Sequence, residues 1–364
     1  MRRGKRVVIS GYYGFHNLGD EAVLAATVQE LRRRIPDIEI TVLSARPAET
    51  ARAHGVRALS RRDPAALVRE LARCDLFLSG GGSLFQDATS WRSPWYYLAL
   101  LAAARTLGRR TMVYAQGIEP PRRACVRGAL AFVLDRVDAI AVRDRTSQAL
   151  LAEWGIRRPR TVLSADPSLL LSPEWSEAAR AERVRWGEGT WCGMAMRPWA
   201  GGDGLLTAAL AGARLAGERF GVRWVLLPMH PSDLAPCDAL GRRLGSLATV
   251  VRAPLRPGEM LALIGSLDLL VGMRLHALLF AISQGVPVVP IAYDPKVEAL
   301  TRDLGGPAPI GMRASPSEVS DAIARAIADR PALRAALCAA VPALRQRAAL
   351  APDLAAQLLG VAIP

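Results

Sequence analysis

The sequence predicts an α/β protein with two doubly wound domains, each a parallel sheet covered by helices on both faces. Three observations carry this prediction. The chain has 364 residues, 51% of them hydrophobic, which exceeds the needs of one ordinary core and suits two. Short continuous apolar runs alternate with helical patterns, as in parallel sheets buried on both faces. The same plan then recurs after a polar segment at residues 171–190.

The first half contains the strands and helices of one such domain. Its short aliphatic runs predict strands over residues 6–11, 38–45, 76–81, 111–117, 139–144 and 161–166. Apolar residues at helical spacing predict helices over 21–35, 64–74 and 147–155, the last ending in a glycine, as helix C-termini often do. We therefore predict a Rossmann-like N-terminal domain over residues 1–170.

The second half follows the same plan. Strands are predicted over 191–198, 223–230, 248–254, 267–273, 287–293 and, more weakly, 308–312. Helices are predicted over about 203–219, 232–245, 257–265, 276–284 and 316–329. These elements predict a second Rossmann-like domain over 191–330, with 171–190 as the linker. Ala-rich helices over 331–364 are candidates to pack back on the first domain.

Two such domains with facing strand ends would enclose a cleft between them. Ligands of doubly wound sheets bind at the carboxyl ends of the strands. We therefore look for functional residues directly after each predicted strand.

Composition narrows the class of partner and compartment. The net charge of +14 favours anionic partners. Nucleic acid is disfavoured, because the arginines are dispersed and aromatic residues do not interleave with them. The 5 cysteines form no CxxC pair, which favours a reducing compartment and argues against zinc. No apolar run suits a signal peptide or a bilayer span. We expect a cytoplasmic protein, with peripheral contact at the inner face of the membrane left open.

The first strand runs into a glycine-rich loop, GYYGFHNLGDEA, at residues 11–22. Asn17 in this loop could bond sugar or phosphate oxygens. Asp20 and Glu21 open the next helix, where the helix dipole favours acidic residues, so capping competes with a binding role. The loop is not GxGxxG, and no acidic residue stands at the ribose position, so NAD binding is disfavoured.

Further candidates follow later strands of the first half. Gly80, Gly81 and Gly82 in LSGGGSLFQD could present backbone N–H groups to an anion or a sugar, or could simply form a tight turn. The loop lacks the GK[ST] of a nucleotide-hydrolysing P-loop. Arg143 is a candidate cationic arm, unless the adjacent Asp144 neutralises it. Asp166 is a candidate that a turn before Pro167 would also explain.

In the second half, cationic side chains follow successive strands. Arg197 ends one buried strand and His230 the next. The stretch GMRLHALLFAISQGVPVVPIAYDPKV, at 272–297, then places Arg274 and His276 at a predicted helix N-terminus and Lys296 after the following strand. A guanidinium fork and a point-charge ammonium suit phosphate and carboxylate, while histidine suits proton transfer. We predict that these groups converge on one anionic substrate.

These motifs resemble those of the polysaccharide pyruvyl transferases, specifically the bacterial cell-surface anchoring type. The resemblance runs from GYYGFHNLGDEA through LSGGGSLFQD, YAQGIEP, VRDRTS and ADPSLLL to the 272–297 stretch. It implies a glycosyltransferase-B-like fold, phosphoenolpyruvate as donor and a sugar acceptor with free 4- and 6-hydroxyls. In this subgroup the acceptor would be β-linked N-acetylmannosamine in a lipid-pyrophosphate-linked precursor of a secondary cell-wall polymer. The product would be a 4,6-ketal of pyruvate that S-layer homology domains recognise.

On this hypothesis the candidate residues have assigned roles. His276 and Arg274 are the expected catalytic residues. Donor binding is expected from Arg274, Lys296, Arg197, His230 and Arg143. Acceptor binding is expected from Asn17, Asp20, Gly80, Gly81, Gly82 and Asp166. No metal and no cofactor is expected besides the co-substrate phosphoenolpyruvate.

Two other readings stay open from the sequence. A nucleotide-sugar glycosyltransferase would use the same architecture, with Glu298 as the nearest candidate for a ribose-binding acid. A non-enzymatic protein that binds anionic glycans would bind without releasing phosphate. The oligomeric state is not predicted.

Overall fold

The structure is a computed structural model that describes residues 4–87, 90–198, 203–303 and 308–362. It divides into two compact units. Unit 1 comprises the chain up to Leu170 together with the segment from Leu344 onward, and unit 2 comprises Leu171–Ala343.

Unit 1 is built on a 7-stranded parallel sheet. Its strands are β1 (Arg6–Ser10), β2 (Glu39–Ser44), β3 (Arg57–Ser60), β4 (Leu76–Ser79), β5 (Arg110–Gln116), β6 (Ala139–Val142) and β7 (Arg160–Leu163). The spatial order is β3-β2-β1-β4-β5-β6-β7. The chain thus builds outward from β1 to β3 and then returns to the other side of β1, which puts the topological switch point between β1 and β4.

Both faces of this sheet are covered. Along β1, Val7 and Ile9 belong to one apolar cluster and Val8 to the opposite one, as the two-residue period of a strand requires. The helices are α1 (Leu18–Arg34), α2 (Pro47–His54), α3 (Pro64–Arg73), α4 (Arg92–Thr106), α5 (Ala124–Leu134) and α6 (Arg145–Glu153). This double burial explains why the strands read as continuous apolar runs.

Unit 2 is built on a 6-stranded parallel sheet of the same design. Its strands are β8 (Trp191–Ala195), β9 (Arg223–Leu226), β10 (Ala248–Val250), β11 (Leu269–Gly272), β12 (Val288–Ala292) and β13 (Ile310–Gly311). The order β10-β9-β8-β11-β12-β13 places its switch point between β8 and β11. The helices are α7 (Glu177–Trp186), α8 (Asp203–Phe220), α9 (Leu234–Leu244), α10 (Pro257–Gly265), α11 (Leu275–Ser283), α12 (Pro295–Asp303) and α13 (Pro316–Ala328). The predicted pair of doubly wound α/β domains is confirmed.

The segment expected to be a linker, 171–190, is instead part of unit 2 and contains α7. Ser176 caps this helix by accepting a hydrogen bond from the Ala179 N–H. Trp186 is buried, and Glu182 accepts from the backbone N–H groups of Arg252 and Ala253. The buried side of α7 is narrow and its exposed side is rich in charged residues, so its sequence reads as a polar loop.

The C-terminal region forms a single 29-residue helix, α14 (Arg330–Leu358). Its second half belongs to unit 1, where Leu354 and Ala355 join the apolar cluster that contains Val7 and Ile9. The guanidinium of Arg34 donates from Nε to Asp353 at 2.5 Å. These contacts tie the end of the chain to the first sheet.

Two further observations bear on the environment of the chain. Its cysteines, Cys74, Cys125, Cys192, Cys237 and Cys338, are free thiols. Within the described ranges, none of the helices has both the length and the apolar composition needed to cross a bilayer.

Candidate functional site

Five predicted site residues of unit 2 follow the carboxyl ends of four neighbouring strands. In the order in which the strands lie across the sheet, β9 precedes His230, β8 precedes Arg197, β11 precedes Arg274 and His276, and β12 precedes Lys296. Because parallel strands end at the same edge, these groups share one rim of the sheet. We call them the cationic edge (Arg197, His230, Arg274, His276 and Lys296).

Arg274 is held by a carboxylate that the sequence did not single out. Its Nε donates to Asp233 Oδ2 at 2.9 Å, and its Nη2 donates to Asp233 Oδ1. The Asp233 side chain is fully buried and also accepts from the Met229 N–H at 3.2 Å. Such a paired fork fixes the guanidinium plane. The bonds to Asp233 use the side of the guanidinium that carries Nε and Nη2, and Nη1 lies on the opposite side.

His230 has a local structural bond in this structure. Its Nδ1 accepts from the Ser232 N–H at 3.1 Å and lies 2.8 Å from the Ser232 hydroxyl, so the imidazole caps a short 3-10 helix over Pro231–Asp233. That turn leads directly to Asp233. His230 therefore contributes to shaping the loop that holds Arg274, and its predicted contact with a donor stays a prediction.

Tyr293 brings Arg197 and Lys296 together. The Arg197 Cζ lies 4.9 Å and the Lys296 Nζ 5.8 Å from the centre of the tyrosine ring, both within cation–π range. Lys296 also forms an ion pair with Asp294, with 2.9 Å between Nζ and Oδ2. The four residues that follow β12 thus include an aromatic ring, a carboxylate and an ammonium group.

His276 lies in the first turn of α11 and is partly buried. Arg274 is the N-cap residue of this helix, and the first turn contains no acidic residue. The positive end of the helix dipole therefore meets no acidic side chain of that turn, which favours a bound anion.

Carboxylates hold two of the cations at this edge. Asp233 pairs with Arg274 and Asp294 pairs with Lys296, while the ring of Tyr293 lies near both Arg197 and Lys296. These contacts keep the cations apart and oriented. Together with the positive end of the α11 dipole, the cations can attract an anion.

In unit 1, Asn17 and Asp20 lie at the N-terminus of α1. Asn17 is the N-cap, with Oδ1 accepting from the Gly19 N–H at 3.2 Å. Asp20 reaches the glycine loop, since a Cβ added to Gly82 would lie 3.4 Å from its Oδ1. Glu21 reaches back to the Gly14 N–H at 2.8 Å and to His54 Nε2 at 2.9 Å. The N-cap of α1 is therefore Asn17, whereas the sequence suggested capping for Asp20 and Glu21, and Asp20 lies beside the predicted glycine loop.

The three glycines Gly80, Gly81 and Gly82 are buried rather than open. The Gly80 N–H donates to the Ser10 carbonyl at 2.7 Å, and a side chain there would collide with the Tyr13 hydroxyl. A side chain on Gly81 would press on Val23. Gly82 has a φ of +100°, which favours glycine. The prediction of an open backbone cradle is thus wrong for the Gly80 N–H, because sheet bonding already uses it.

Arg143 is a buried residue of unit 1 and is paired there. Its Nη1 lies 3.4 Å from Asp166 Oδ2, its Nε 3.8 Å from Asp144 Oδ2 and its Nη2 3.5 Å from Ser83 Oγ. Gly117 leaves room for this guanidinium. The predicted neutralising carboxylate of Asp144 therefore lies beside it, together with Asp166, which the sequence did not pair with it. Asp166 also accepts from the backbone and hydroxyl of Ser168. A donor-binding role for Arg143 stays a prediction.

A comparison with models of known protein families identifies the family of this chain. The family model for polysaccharide pyruvyl transferase matches residues 17–295. The chain belongs to the polysaccharide pyruvyl transferase family. The matched region contains Asn17, the glycine loop, Arg143, Arg274 and His276, and it ends one residue before Lys296. No curated protein sequence matches the chain significantly.

Solved structures of similar shape include two proteins that were solved with a nucleotide sugar or its parts. The UDP-GlcNAc 2-epimerase of Neisseria meningitidis, solved with UDP-GlcNAc, aligns with a TM-score of 0.67 at 10% identity over 98% of this chain and 99% of its own. The Anabaena protein HepE, solved with UDP and glucose, aligns at 0.65 and 14% identity over 98% and 99%. At such identities the likeness concerns the fold, which is of the glycosyltransferase-B type.

Three features of this pyruvyl transferase family member escaped sequence reasoning. Asp233 is distant in sequence from the arginine it holds. Tyr293 was seen only as part of a strand-end motif. Tyr12 and Phe15 were read only as part of the glycine-rich loop. In the described part of the chain, no group of three His, Cys, Asp or Glu side chains is arranged to hold a metal ion.

Proposed function

We propose that this family member transfers the pyruvyl group of phosphoenolpyruvate to a saccharide, forming a 4,6-ketal and releasing phosphate. One observation carries the proposal beyond the family: Arg197, Arg274 and Lys296 follow three adjacent strands of unit 2, beside the N-terminus of α11. Phosphoenolpyruvate presents a phosphate and a carboxylate, which such an edge would bind together.

In this proposal, each anionic group of phosphoenolpyruvate has a cationic partner. The Nη1 side of Arg274, opposite the bonds to Asp233, offers a fork for one anionic group. Lys296 and Arg197, which both lie within cation–π range of Tyr293, supply a compact ammonium and a planar guanidinium for the other anionic group. The backbone N–H groups at the start of α11 add neutral donors. His230 and Arg143 are retained as further donor-binding candidates.

The chemistry requires proton transfer and two new carbon–oxygen bonds. Protonation of the donor methylene gives a methyl group and an oxocarbenium-like carbon, to which one sugar hydroxyl adds. The bond from this carbon to the phosphate oxygen then breaks, and the second hydroxyl closes the ring. One hydroxyl proton replaces the proton given to the methylene, and the other leaves with phosphate. His276 is the proposed shuttle, a role that typically contributes about 10²–10⁴-fold.

We further propose the acceptor class. It is a sugar with free 4- and 6-hydroxyls, in particular β-linked N-acetylmannosamine in a lipid-pyrophosphate-linked precursor of a secondary cell-wall polymer. Asn17, Asp20, Asp166 and the glycine loop of unit 1 are the proposed acceptor residues. The reaction would take place in the cytoplasm at the inner face of the membrane, and the ketal would serve S-layer anchoring.

Phosphate release tests this function. Phosphate should appear from phosphoenolpyruvate only when a β-N-acetylmannosaminide with free 4- and 6-hydroxyls is present. His276→Ala should lose at least about 10²-fold in kcat. Arg274→Lys should raise the KM for phosphoenolpyruvate, because an amine cannot replace the guanidinium fork. Turnover of a UDP-sugar without use of phosphoenolpyruvate would instead identify a glycosyltransferase, and saturable glycan binding without phosphate release would identify a binding protein.

A further inference from the structure

A partly exposed aromatic cluster lies at the switch point of unit 1. Tyr12 follows β1 directly and stacks on Phe15, with 4.1 Å between ring centres and 9° between ring planes. The Arg61 Cζ lies 5.4 Å from the Phe15 ring centre and 4.4 Å from that of Tyr96. We call these four residues (Tyr12, Phe15, Arg61 and Tyr96) the aromatic platform.

The platform concentrates a rare residue type. The chain has only 6 tyrosines, and four of them, Tyr12, Tyr13, Tyr96 and Tyr97, lie in this region. Tyr13 and Tyr97 are buried, whereas Tyr12 keeps 40% of its surface exposed. An exposed ring beside a glycine-rich loop at a strand end offers a flat apolar surface with a polar hydroxyl, which suits a ligand that is apolar on one face and polar at its rim.

The aromatic platform lies at the part of the sheet where such folds bind ligands. β1 and β4 meet at the switch point, where open parallel sheets bind their ligands. Among the described residues, the hydroxyl of Tyr13 and the Oε1 of Gln116 are buried there without a hydrogen-bond partner. Each buried polar atom without a hydrogen-bond partner lowers the free energy of unfolding by about 1–3 kcal/mol, and such atoms are found most often at functional sites.

The charges around the platform favour a neutral polar ring over a nucleotide. Asp20 lies close enough to Tyr12 to help burial raise the pKa of its hydroxyl, with Arg61 opposing. Asp20 and Glu21 already occupy the first turn of α1. A diphosphate at this helix N-terminus would meet two carboxylates, whereas sugar hydroxyls can bond both a carboxylate and a guanidinium.

We infer that the aromatic platform is the acceptor-binding surface, with Tyr12 stacking on the apolar face of a pyranose ring and Asp20 and Arg61 bonding its hydroxyls. This inference rests on the proposed function for the identity of the sugar. According to this inference, Tyr12 determines the affinity for the acceptor sugar and has no contact with phosphoenolpyruvate.

Kinetics with a neutral probe tests the inference. The methyl β-glycoside of N-acetylmannosamine is varied as acceptor at saturating phosphoenolpyruvate, and the reverse. Tyr12→Ala should raise the KM for the glycoside about 2- to 10-fold and leave the KM for phosphoenolpyruvate unchanged. Tyr12→Phe, which keeps the ring, should behave as the wild type. An unchanged KM for the glycoside in Tyr12→Ala, or an equal rise in both KM values, overturns the inference.

Phe132→Ala is the matched control. Phe132 is also an exposed aromatic of unit 1 that contacts an arginine, with Arg136 Cζ 3.7 Å from its ring centre. It lies near the end of α5, which leads from the carboxyl end of β5 to the amino end of β6, and so near the opposite edge of the sheet. This variant should keep the wild-type KM values. A rise equal to that of Tyr12→Ala overturns the inference.

A binding measurement separates failure of the inference from failure of the proposed function. Saturation-transfer NMR detects the same glycoside on wild type and Tyr12→Ala without phosphoenolpyruvate. Glycoside binding that is lost in Tyr12→Ala supports the platform even if the wild type releases no phosphate. Equal binding by the two proteins, no binding by the wild type, or displacement of the glycoside by UDP overturns it.

Discussion

Each arginine and lysine of the cationic edge has a neighbour that helps to fix its position. Asp233 holds Arg274 through two donors, Asp294 pairs with Lys296, and the ring of Tyr293 contacts both Lys296 and Arg197. Long side chains lose conformational entropy when they bind a ligand, and a pre-formed partner lowers that cost. The arrangement thus prepares the edge for an anion before one arrives.

The first prediction concerns Asp233, which we regard as a positioning residue. Asp233→Asn removes the charge that orients Arg274 but keeps the size of the side chain. We expect the KM for phosphoenolpyruvate to rise at least about tenfold, which corresponds to about 1.4 kcal/mol, with a smaller change in kcat. Steady-state kinetics with varied phosphoenolpyruvate measures this difference.

Asp238→Asn is the control for that variant. Asp238 also pairs with an arginine of unit 2, with 2.6 Å between Asp238 Oδ1 and Arg252 Nη2, but neither residue belongs to the cationic edge. The control variant should leave the KM for phosphoenolpyruvate near the wild-type value. If Asp233→Asn lowers thermal stability without changing that KM, Asp233 supports only the fold.

Single residues also show where sequence reasoning ends. The strand-end rule placed Arg197, Arg274 and Lys296 at one rim, because the strands were visible as apolar runs. It could not pair Arg274 with Asp233, which lies 41 residues earlier and whose side-chain direction depends on the turn at His230. It also left open whether Arg143 is a cationic arm or is neutralised by Asp144, and it could not show the second carboxylate, Asp166, which lies 23 residues later.

At the scale of elements, sequence reasoning recovered the buried strands and missed exposed or uniformly apolar segments. The edge strand β3 reads Arg-Ala-Leu-Ser and is exposed at both ends, so it shows no apolar run. Helix α4 has apolar residues around most of its circumference, and α2 is only 8 residues long. Periodicity detects an element only when one side differs from the other over several turns.

Helix α10 provides a test of capping. The Glu259 carboxylate accepts from the Arg256 N–H at 2.6 Å. Burial raises the pKa of Glu259, but hydrogen bonds from the Arg256 backbone and from the Ser176 and Arg256 side chains outweigh it and hold that pKa below 4.5. Glu259→Gln should therefore destabilise unit 2 by about 1 kcal/mol at pH 7, as measured by urea unfolding.

The sign of the pH dependence follows from the lowered pKa of Glu259. The stabilisation is fully present above pH 4.5 and is lost as the pH falls through the folded-state pKa. The difference between wild type and variant should shrink in that acid range. Glu318→Gln, in the exposed capping box of α13, serves as control and should cost less. A difference for Glu259→Gln that grows with acidity would contradict the assignment.

Helix α14 makes a second prediction at this scale. Leu354 is 2% exposed within the apolar cluster under β1, whereas Leu350, one turn earlier, is 41% exposed. Leu354→Ala should destabilise unit 1 by about 2–5 kcal/mol through the cavity it leaves, and Leu350→Ala should cost much less. Hydrogen exchange of the β1 and β2 amides measures the effect in unit 1 itself. Equal effects of the two variants would mean that this part of α14 does not complete the core.

At the scale of the whole molecule, two sheets with the same doubly wound order bring their polar residues to the carboxyl ends of their strands. Unit 1 carries the aromatic platform and unit 2 the cationic edge. The chain as a whole has a net charge of +14. Such an excess attracts small anions over distances longer than any single contact, and salt screens that attraction.

This charge predicts an ionic-strength effect on one substrate only. Raising the ionic strength from about 0.01 M to about 0.15 M shortens the screening length from about 30 Å to about 8 Å. The kcat/KM for phosphoenolpyruvate should then fall about tenfold, because the donor is highly charged. The kcat/KM for a neutral methyl glycoside acceptor, measured at saturating donor, should hardly change. Since both substrates use the same enzyme, an equal fall for the two would trace the salt effect to protein stability and not to attraction of the donor.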